Sequence, residues 1–458
     1  MKYRSSRGGV SGLGFRDAVM MGLATDGGLL IPHDIPDVTD KLASWSSLTF
    51  QELAINIMAE FIDDIPFEDL TLLVNRSYAR FNHEKVTPVV QVGDFHLLEL
   101  YHGPTLAFKD IALQFLGNVF EYILDDQQSC LNILGATSGD TGSAAIEGVR
   151  GKSNINIFIL FPEGRTSPVQ EAQMTTVPDA NVFNIAVDGS FDDCQSLIKA
   201  IFSDMPFKQE YQLGAVNSVN WARVLAQIVY YFFAWYELDK PKTFDVSVPT
   251  GNFGDIFAGY LAKRMGLPIR KLILATNQND ILARFFQTGV YKRGDVHFSE
   301  SPAMDIQVSS NFERYLYYAF DGSCEEVSEF MADFLGEGVA RLDFNTSEFD
   351  DSFLAGSVDD TETLKTIRSL YEQHNYLVDP HAAVGISVGN RLRTPDVPLL
   401  SLSTAHPAKF EGAISKAIPG HITSHESLEA LEGLPKRKKR MGAEVGQIQA
   451  FIRQHGLR

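Results

Sequence analysis

The chain changes character at Tyr101-His102-Gly103-Pro104-Thr105-Leu106-Ala107-Phe108-Lys109-Asp110, where a turn leads into a helical pattern. Gly103 and Pro104 predict the turn, and the apolar spacing that follows predicts a helix starting near Lys109. The positive end of a helix dipole and apolar neighbours both disfavour the ammonium form of a lysine. A readily neutral lysine is a nucleophile, as Schiff-base chemistry with a carbonyl cofactor requires. The alternative is an ordinary surface lysine whose stem covers apolar residues.

On both sides of this decapeptide the pattern alternates between strand and helix. Residues 95–101 are strand-like, residues 131–134 predict a buried strand, residues 143–149 a helix and residues 156–161 another strand. Because parallel strands need crossover connections, this alternation predicts an α/β fold with parallel sheet.

The rest of the chain continues the alternation of strands and helices, except in two regions. Residues 1–95 predict a helical N-terminal region, with helices at 15–22 and 49–61, and residues 277–365 read as an acidic insertion with helices. A helix at 221–238 is apolar on nearly every side and is predicted to be buried. The remaining expected elements are a helix at 191–203, a helix that follows residues 249–255 and ends at 265, and strands at 244–248, 269–275 and 398–401.

Composition excludes several classes of protein. The 458 residues suit two or three domains, and a net charge of −19 disfavours a nucleic-acid partner. The three scattered cysteines, Cys130, Cys194 and Cys324, predict free thiols in a reducing compartment. There is no H-E-x-x-H motif, no membrane-length apolar run and no signal-peptide core, so we expect a cytoplasmic protein without a metal site.

Three joints between a strand and the following segment predict ligand sites, because ligands bind beyond the carboxyl ends of strands in α/β sheets. The first is Gly135-Ala136-Thr137-Ser138-Gly139-Asp140-Thr141-Gly142, whose helix-start amides suit an anion. The second is Gly251-Asn252-Phe253-Gly254-Asp255, where two glycines let the backbone curl around an oxyanion. The third is Ser403-Thr404-Ala405-His406-Pro407. In each case, helix capping and turn formation are the structural alternative.

Two other segments are set aside. Gly151-Lys152-Ser153 resembles the end of a P-loop, but it follows a helix, and the glycine required five residues earlier is Ile146. A nucleotide-dependent enzyme is therefore disfavoured. The basic run at 436–440 is predicted to be a solvated surface stretch.

Together these segments resemble the threonine synthases, pyridoxal-phosphate enzymes of the tryptophan-synthase β (fold type II) superfamily. The resemblance rests on residues 102–110, 135–142, 217–223 and 249–255, and it extends to residues 22–29 and 404–410. It implies two parallel-sheet α/β domains with the cofactor between them. The implied division is a helical N-terminal region at 1–95, a smaller substrate domain at 96–190 carrying the cofactor lysine, and a larger cofactor-phosphate domain at 191–458 with the insertion.

The resemblance also implies residue roles. Lys109 would bind pyridoxal phosphate covalently and then shuttle protons, and Thr404 would contact the pyridine nitrogen. The cofactor phosphate would be cradled by Gly251, Asn252, Phe253, Gly254 and Asp255. Substrate would be bound by Thr137, Ser138, Asp140, Thr141, Asn217, Ser218, Asn220 and Arg223. Asp140 departs from the wider superfamily, in which many members have an asparagine that contacts the 3′-oxygen of the cofactor.

The implied reaction is γ-elimination of phosphate from O-phospho-L-homoserine and β-addition of water, giving L-threonine, as the last step of threonine biosynthesis. Such an enzyme is a carbon–oxygen lyase acting on a small molecule, and we expect no nucleic-acid, membrane or obligate protein partner and a monomer or homodimer. The alternatives are a phosphohomoserine lyase, a serine or threonine dehydratase of the same fold, and a catalytically inactive relative.

Overall fold

The computed structural model describes residues 1–137, 139–342 and 350–458, and these divide into two compact units. The first unit comprises Met1–Thr71, Phe81–His102 and Ser218–Thr423, and the second comprises Leu72–Arg80, Gly103–Asn217 and Ser424–Arg458. In this part of the chain no helix is long and apolar enough to cross a membrane.

The strands, numbered along the chain, are β1 Tyr3–Ser5, β2 Ser11–Leu13, β3 Leu30–Pro32, β4 Val89–Val92, β5 Phe95–Glu99, β6 Leu131–Ala136, β7 Ile155–Pro162, β8 Val182–Asp188, β9 Leu213–Gly214, β10 Phe244–Pro249, β11 Ile269–Thr276, β12 Val290–Lys292, β13 Val339–Arg341, β14 Phe353–Ser357, β15 Leu399–Ser403 and β16 Lys439–Gly442.

The α-helices are α1 Phe15–Met21, α2 Phe50–Ala59, α3 Phe67–Tyr78, α4 Lys109–Gln127, α5 Asp140–Val149, α6 Pro168–Thr175, α7 Phe191–Ser203, α8 Met205–Glu210, α9 Trp221–Glu237, α10 Gly254–Arg264, α11 Ile281–Thr288, α12 Phe312–Ala319, α13 Cys324–Glu337, α14 Asp360–His374, α15 Pro380–Leu392, α16 Glu411–Ala417, α17 Glu426–Glu429 and α18 Val445–His455. Two short 3₁₀ turns lie at Pro302–Met304 and Pro407–Phe410.

The first unit is built on a six-stranded sheet in the order β14-β11-β10-β15-β5-β4. Its pairs are parallel except for β4, which runs antiparallel to β5 at the edge. Helix α9 is buried from Trp221 to Ala234, as its unbroken apolar sequence predicts. The parallel sheet confirms the predicted fold class.

Two features of this unit differ from the sequence-based expectation. The N-terminal region holds the predicted helices but also a small antiparallel sheet, β2-β1-β3, whose three-residue strands are too short to show an alternating pattern. Strand β14 lies inside the predicted insertion at 277–365 and pairs in parallel with β11. The end of that acidic segment therefore belongs to the main sheet.

The second unit is built on an all-parallel sheet in the order β16-β8-β7-β6-β9. Helices α4 and α5 pack so closely that a Cβ atom on Gly117 would lie 2.0 Å from the carbonyl oxygen of Gly148. Two glycines at this crossing let the helix that starts at Lys109 rest directly on the helix that follows the 135–142 loop. The basic run at 436–440 is largely exposed, as predicted, but its last two residues begin edge strand β16.

Candidate active site

Lys109 is the first residue of α4, so the predicted helix start is confirmed. Before it, Leu106 has a φ of 60°, in the left-handed region, where the chain turns. The turn is held by Asp110, whose carboxylate accepts from the Thr105 amide at 2.8 Å and from the Thr105 hydroxyl at 2.7 Å. A Cβ atom on Gly103 would lie 2.5 Å from that of Asp110, so only glycine fits there. These contacts fix the backbone that carries the lysine.

The Lys109 side chain is 12% exposed and faces a carboxylate. Its Nζ lies 3.7 Å from Oδ2 of Asp140 and 4.8 Å from the centroid of the Phe108 ring. Asp140 is the first residue of α5, so the parallel packing of two helix starts brings it to the lysine. A carboxylate at this distance stabilises the positive charge on an amine.

The loop at 135–142 is organised by one hydroxyl. Thr137 is 3% exposed, and its Oγ1 accepts from the amides of Gly139 and Gly142, each at 3.0 Å. It also donates to the Gly139 carbonyl at 3.1 Å. The hydroxyl predicted to bind a substrate carboxylate is therefore engaged by the loop itself, and its role toward substrate stays a prediction. Thr141 is half-buried in the first turn of α5, its role toward substrate stays a prediction, and Ser138 lies outside the described residues.

The loop at 251–255 joins β10 to α10 and is fixed by apolar packing. Phe253 has a φ of 61°, a left-handed conformation that is costly for a bulky residue. Its ring is 1% exposed and lies among those of Phe286, Phe312 and Tyr315, at centroid distances of 6.1, 5.5 and 5.7 Å. A Cβ atom on Gly251 would lie 2.9 Å from the Ala303 carbonyl oxygen. The backbone is thus held curled at a helix start.

Asp255 turns its side chain away from this loop. Both Tyr230 and Tyr231 of α9 donate hydrogen bonds to its carboxylate. Burial raises the pKa of Asp255 to about 6, although these hydrogen bonds act in the opposite direction. Its contribution to a ligand would therefore come from its backbone amide.

A segment that sequence analysis passed over connects the 251–255 loop to Ser218. The Ser310 hydroxyl lies 2.7 Å from that of Ser218 and donates to Oδ1 of Asn252 at 3.1 Å. The Asn311 side-chain amide donates to the carbonyls of Ser218 and Asn252 at 3.1 and 3.0 Å. Consecutive polar residues just before α12 are typical of helix capping, so no functional role was predicted for this segment.

Arg314, in the first turn of α12, holds the same region through hydrogen bonds to backbone carbonyls. It is fully buried and donates to the Leu30 carbonyl from Nε at 3.0 Å and from Nη2 at 2.9 Å, and also to the Val219 carbonyl. Desolvation lowers the pKa of Arg314 to about 9, which leaves it charged at neutral pH. Its charge therefore orders backbone carbonyls beside Ser218.

The predicted substrate residues at 217–223 separate into two kinds. The side chain of Asn220 caps α9 by accepting from the Ala222 amide at 3.1 Å, and it donates to the Val19 carbonyl at 2.8 Å. Asn220 is 1% exposed and caps α9, and its assignment to substrate stays a prediction. Arg223 is also buried, and burial lowers its pKa to about 10, so a nearby anion would stabilise its charge. Asn217 and Ser218 are half-buried.

Thr404 directly follows β15, and the 251–255 loop follows β10. These strands pair in parallel, Val246 opposite Leu400 and Ser247 opposite Ser401, so their carboxyl ends lie at the same edge of the sheet. The first unit thus places Thr404, the 251–255 loop and Ser218 around one region, and the second unit places Lys109 beside Asp140.

The donor set of the first unit fits the phosphate of pyridoxal phosphate. Helix α10 has eleven residues and starts at Gly254, and the first amides of a helix have no partner within it. The close approach at Gly251 leaves no space for a side chain, while the Asn252 side chain is exposed. The residues that would hold the group are therefore Gly251, Asn252, Phe253, Gly254 and Asp255.

Comparisons with known proteins agree with this geometry. Residues 2–78 match the family described as threonine synthase N terminus, residues 81–396 match pyridoxal-phosphate dependent enzymes, and residues 382–452 match the threonine synthase C-terminal family. The threonine synthase of Schizosaccharomyces pombe is 46% identical over 92% of this chain and 90% of its own. That of Pseudomonas aeruginosa is 44% identical over 100% of this chain and 99% of its own.

A solved structure extends the likeness to three dimensions. The pyridoxal-phosphate-bound threonine synthase from Brucella melitensis superposes with a TM-score of 0.97, at 42% identity, over 100% of both chains. By family, relatives and fold, the chain belongs to the threonine synthases, which are pyridoxal-phosphate-dependent enzymes of fold type II.

Proposed function

We propose that this threonine synthase converts O-phospho-L-homoserine and water into L-threonine and phosphate, with Lys109 as its catalytic residue. The observation that carries the proposal is the placement of the Lys109 amine, at a helix start, little exposed and 3.7 Å from the Asp140 carboxylate. This is the environment in which an amine can alternate between charged and neutral forms.

Bound pyridoxal phosphate supplies an electron sink for carbanions formed on the substrate. Lys109 binds the cofactor and, once its amine is free, takes the proton from the substrate Cα and then one from Cβ. After phosphate leaves Cγ, the same amine would return a proton to Cγ, the hydroxyl of water would add at Cβ, and a proton returned to Cα would complete threonine. A single base that serves several transfers works best with a pKa near the operating pH.

The first unit supplies binding in this proposal. Backbone amides of residues 251–255 and the Asn252 side chain hold the cofactor phosphate, and Thr404 contacts the pyridine nitrogen. A neutral hydroxyl there leaves that nitrogen largely unprotonated, which makes the ring a weaker electron sink than a carboxylate partner would. The common sheet edge shared by these residues supports the assignment.

The substrate has two anionic ends, and a chain of net charge −19 must attract them locally. We assign its phosphate to Asn217, Ser218 and Arg223, since a buried guanidinium makes strong charge-assisted hydrogen bonds to phosphate. Its carboxylate is assigned to Thr141 and the amides at the start of α5, a helix of ten residues.

Location and assembly are part of the proposal. Cys130, Cys194 and Cys324 are free thiols, which supports the predicted reducing, cytoplasmic compartment. A monomer or homodimer without an obligate protein partner stays a prediction from the sequence.

The test is product analysis with purified, cofactor-loaded enzyme and O-phospho-L-homoserine. We expect threonine and phosphate in equal yield, and neither from Lys109→Ala. The matched control is Lys152→Met, at a lysine of the same unit whose amine bonds Asn118 at 2.8 Å and Glu121 at 2.7 Å. It should retain turnover. Phosphate with 2-oxobutyrate in place of threonine would identify a phosphohomoserine lyase instead.

A further inference from the structure

Helix α6 contacts both segments of the second unit that bear on the chemistry. The Gln170 Nε2 donates to Oδ1 of Asp140 at 2.8 Å, and the Gln173 Nε2 donates to the Thr105 carbonyl at 3.0 Å. Residues three apart lie on the same face of a helix. One face of α6 therefore contacts both the 135–142 loop and the turn at Thr105 that precedes Lys109.

Gln170 is fixed in a single orientation. It is 8% exposed, and its Oε1 accepts from the Ser167 hydroxyl at 3.1 Å, which leaves Nε2 to face Asp140. The Ser167 hydroxyl also accepts from the backbone N–H of Gln170 at 3.3 Å and so caps the helix. A Cβ atom on Gly139 would lie 2.4 Å from the Gln170 Oε1, so the glutamine fits only because the loop has glycine there.

We propose that Gln170 is a positioning residue that holds the Asp140 carboxylate against the nitrogen of Lys109. In this way it sets how tightly that nitrogen holds its proton. The inference rests on the proposed role of Lys109. One oxygen of Asp140 is engaged by Gln170, and the other faces Lys109 at 3.7 Å. A carboxylate turned in this way favours the protonated nitrogen.

Other charged groups on the elements packed against α5 have partners of their own. Strand β7 carries no charged residue. On α4, α5 and α6 the contacts are Asp110 with Thr105, Glu121 with Lys152, Asp125 with Asn154, Glu147 with Arg150 and Glu171 with Lys438. Asp126 is exposed near the far end of α4 from Lys109. Asp140 is therefore the carboxylate whose orientation we expect to matter most for Lys109.

The experiment is a pH titration of the visible absorbance of cofactor-loaded enzyme without substrate. It compares wild type with Asp140→Asn, Gln170→Leu, Gln170→Met and the double variant Asp140→Asn/Gln170→Leu. We expect the midpoint to fall by about one pH unit or more in Asp140→Asn. The midpoint should fall less in either Gln170 variant than in Asp140→Asn. In the double variant it should fall no further than in Asp140→Asn alone, because Gln170 acts through Asp140.

The matched control is Asn184→Leu, which removes a buried amide donating to the Met174 carbonyl of the same helix at 2.9 Å but leaves Asp140 untouched. Its midpoint should stay at the wild-type value. Additive shifts, or midpoints that do not move, would overturn the inference while Lys109→Ala still abolishes the band. A band that persists in Lys109→Ala would overturn the assignment of Lys109 and this inference with it.

Discussion

The loops at 135–142 and 251–255 both join a parallel strand to a helix, yet only the second adds a buried aromatic anchor to its polar contacts. The first is organised by polar contacts of Thr137 and Gln170. The second is anchored by the ring of Phe253 among other aromatic side chains. Apolar packing is insensitive to protonation, which suits the proposed role of the 251–255 loop in holding the cofactor phosphate in place. Polar packing places a carboxylate beside Lys109, whose proton affinity would have to change during the proposed turnover.

The largest effect that this comparison predicts comes from Phe253→Ala. Removing a buried ring from the aromatic cluster should cost about 3–5 kcal/mol of unfolding free energy and weaken cofactor binding. Urea unfolding and cofactor titration measure the two losses. Phe67→Ala, at a position 59% exposed, is the control and should change neither. Full cofactor affinity in Phe253→Ala would show that the loop does not depend on its apolar anchor.

A second prediction concerns pH. Burial raises the pKa of Asp255 from 3.8 to about 6, so the folded chain holds this proton more tightly than the unfolded chain. The contribution of Asp255 to stability is therefore full below the unfolded pKa and is lost as pH rises through the folded one. The shift corresponds to about 3 kcal/mol.

Asp255→Asn removes this loss, so we expect the stability of the variant relative to wild type to rise between pH 4 and pH 6, by up to about 3 kcal/mol. Thermal unfolding across that range measures it. Asp34→Asn, at a side chain 86% exposed, is the control. A stability difference between wild type and Asp255→Asn that stays constant from pH 4 to pH 6 would contradict the prediction.

Substitution in the 135–142 loop should affect stability and turnover but not cofactor binding. Thr137→Val keeps the shape of the side chain but removes a hydroxyl that accepts from two loop amides. We expect a loss of about 1–3 kcal/mol in stability and a fall in kcat with unchanged cofactor affinity. Thr71→Val, at a half-buried threonine of α3 whose hydroxyl donates to the Phe67 carbonyl at 2.8 Å, serves for comparison. Weaker cofactor binding in Thr137→Val would mean that the two loops do not divide binding from chemistry.

The smallest effect is expected at Ser310, whose hydroxyl links Ser218 to Asn252. Ser310→Ala should cost about 1 kcal/mol of cofactor affinity, or about fivefold, because one hydrogen bond at a partly exposed position is lost. Equilibrium titration measures it, with the exposed Ser203→Ala as the control. An unchanged affinity would place Ser310 outside the phosphate region.

Much of the fold could be predicted from the sequence because its elements have strong apolar patterns. The buried helix from Trp221 and the strand from Leu131 are examples, and the helix that starts at Lys109 follows directly from its turn. The short strands β1–β3 and the edge strand β16, which begins in a basic run, have no such pattern. Their pairing partners, far away in the chain, determine them instead.

The candidate site was only partly accessible to sequence reasoning. Motifs identified the loops, but not which polar atoms the fold itself would use, as at Asn220 and Thr137. Gln170 and Ser310 lie in segments whose composition reads as capping, and only tertiary contact gives them a role. Polar side chains serve local structure and ligands equally well, so pattern alone does not separate the two.

The central claim is that Lys109, next to the 135–142 loop, binds the cofactor covalently. Burial alone would favour other lysines, since Lys409 is 3% and Lys152 is 6% exposed. The most direct measurement is borohydride reduction of the cofactor-loaded enzyme followed by peptide mass spectrometry. The account predicts the reduced cofactor on the peptide that contains Lys109. The same mass on a peptide containing Lys409 or Lys152, with Lys109 unmodified, would contradict it.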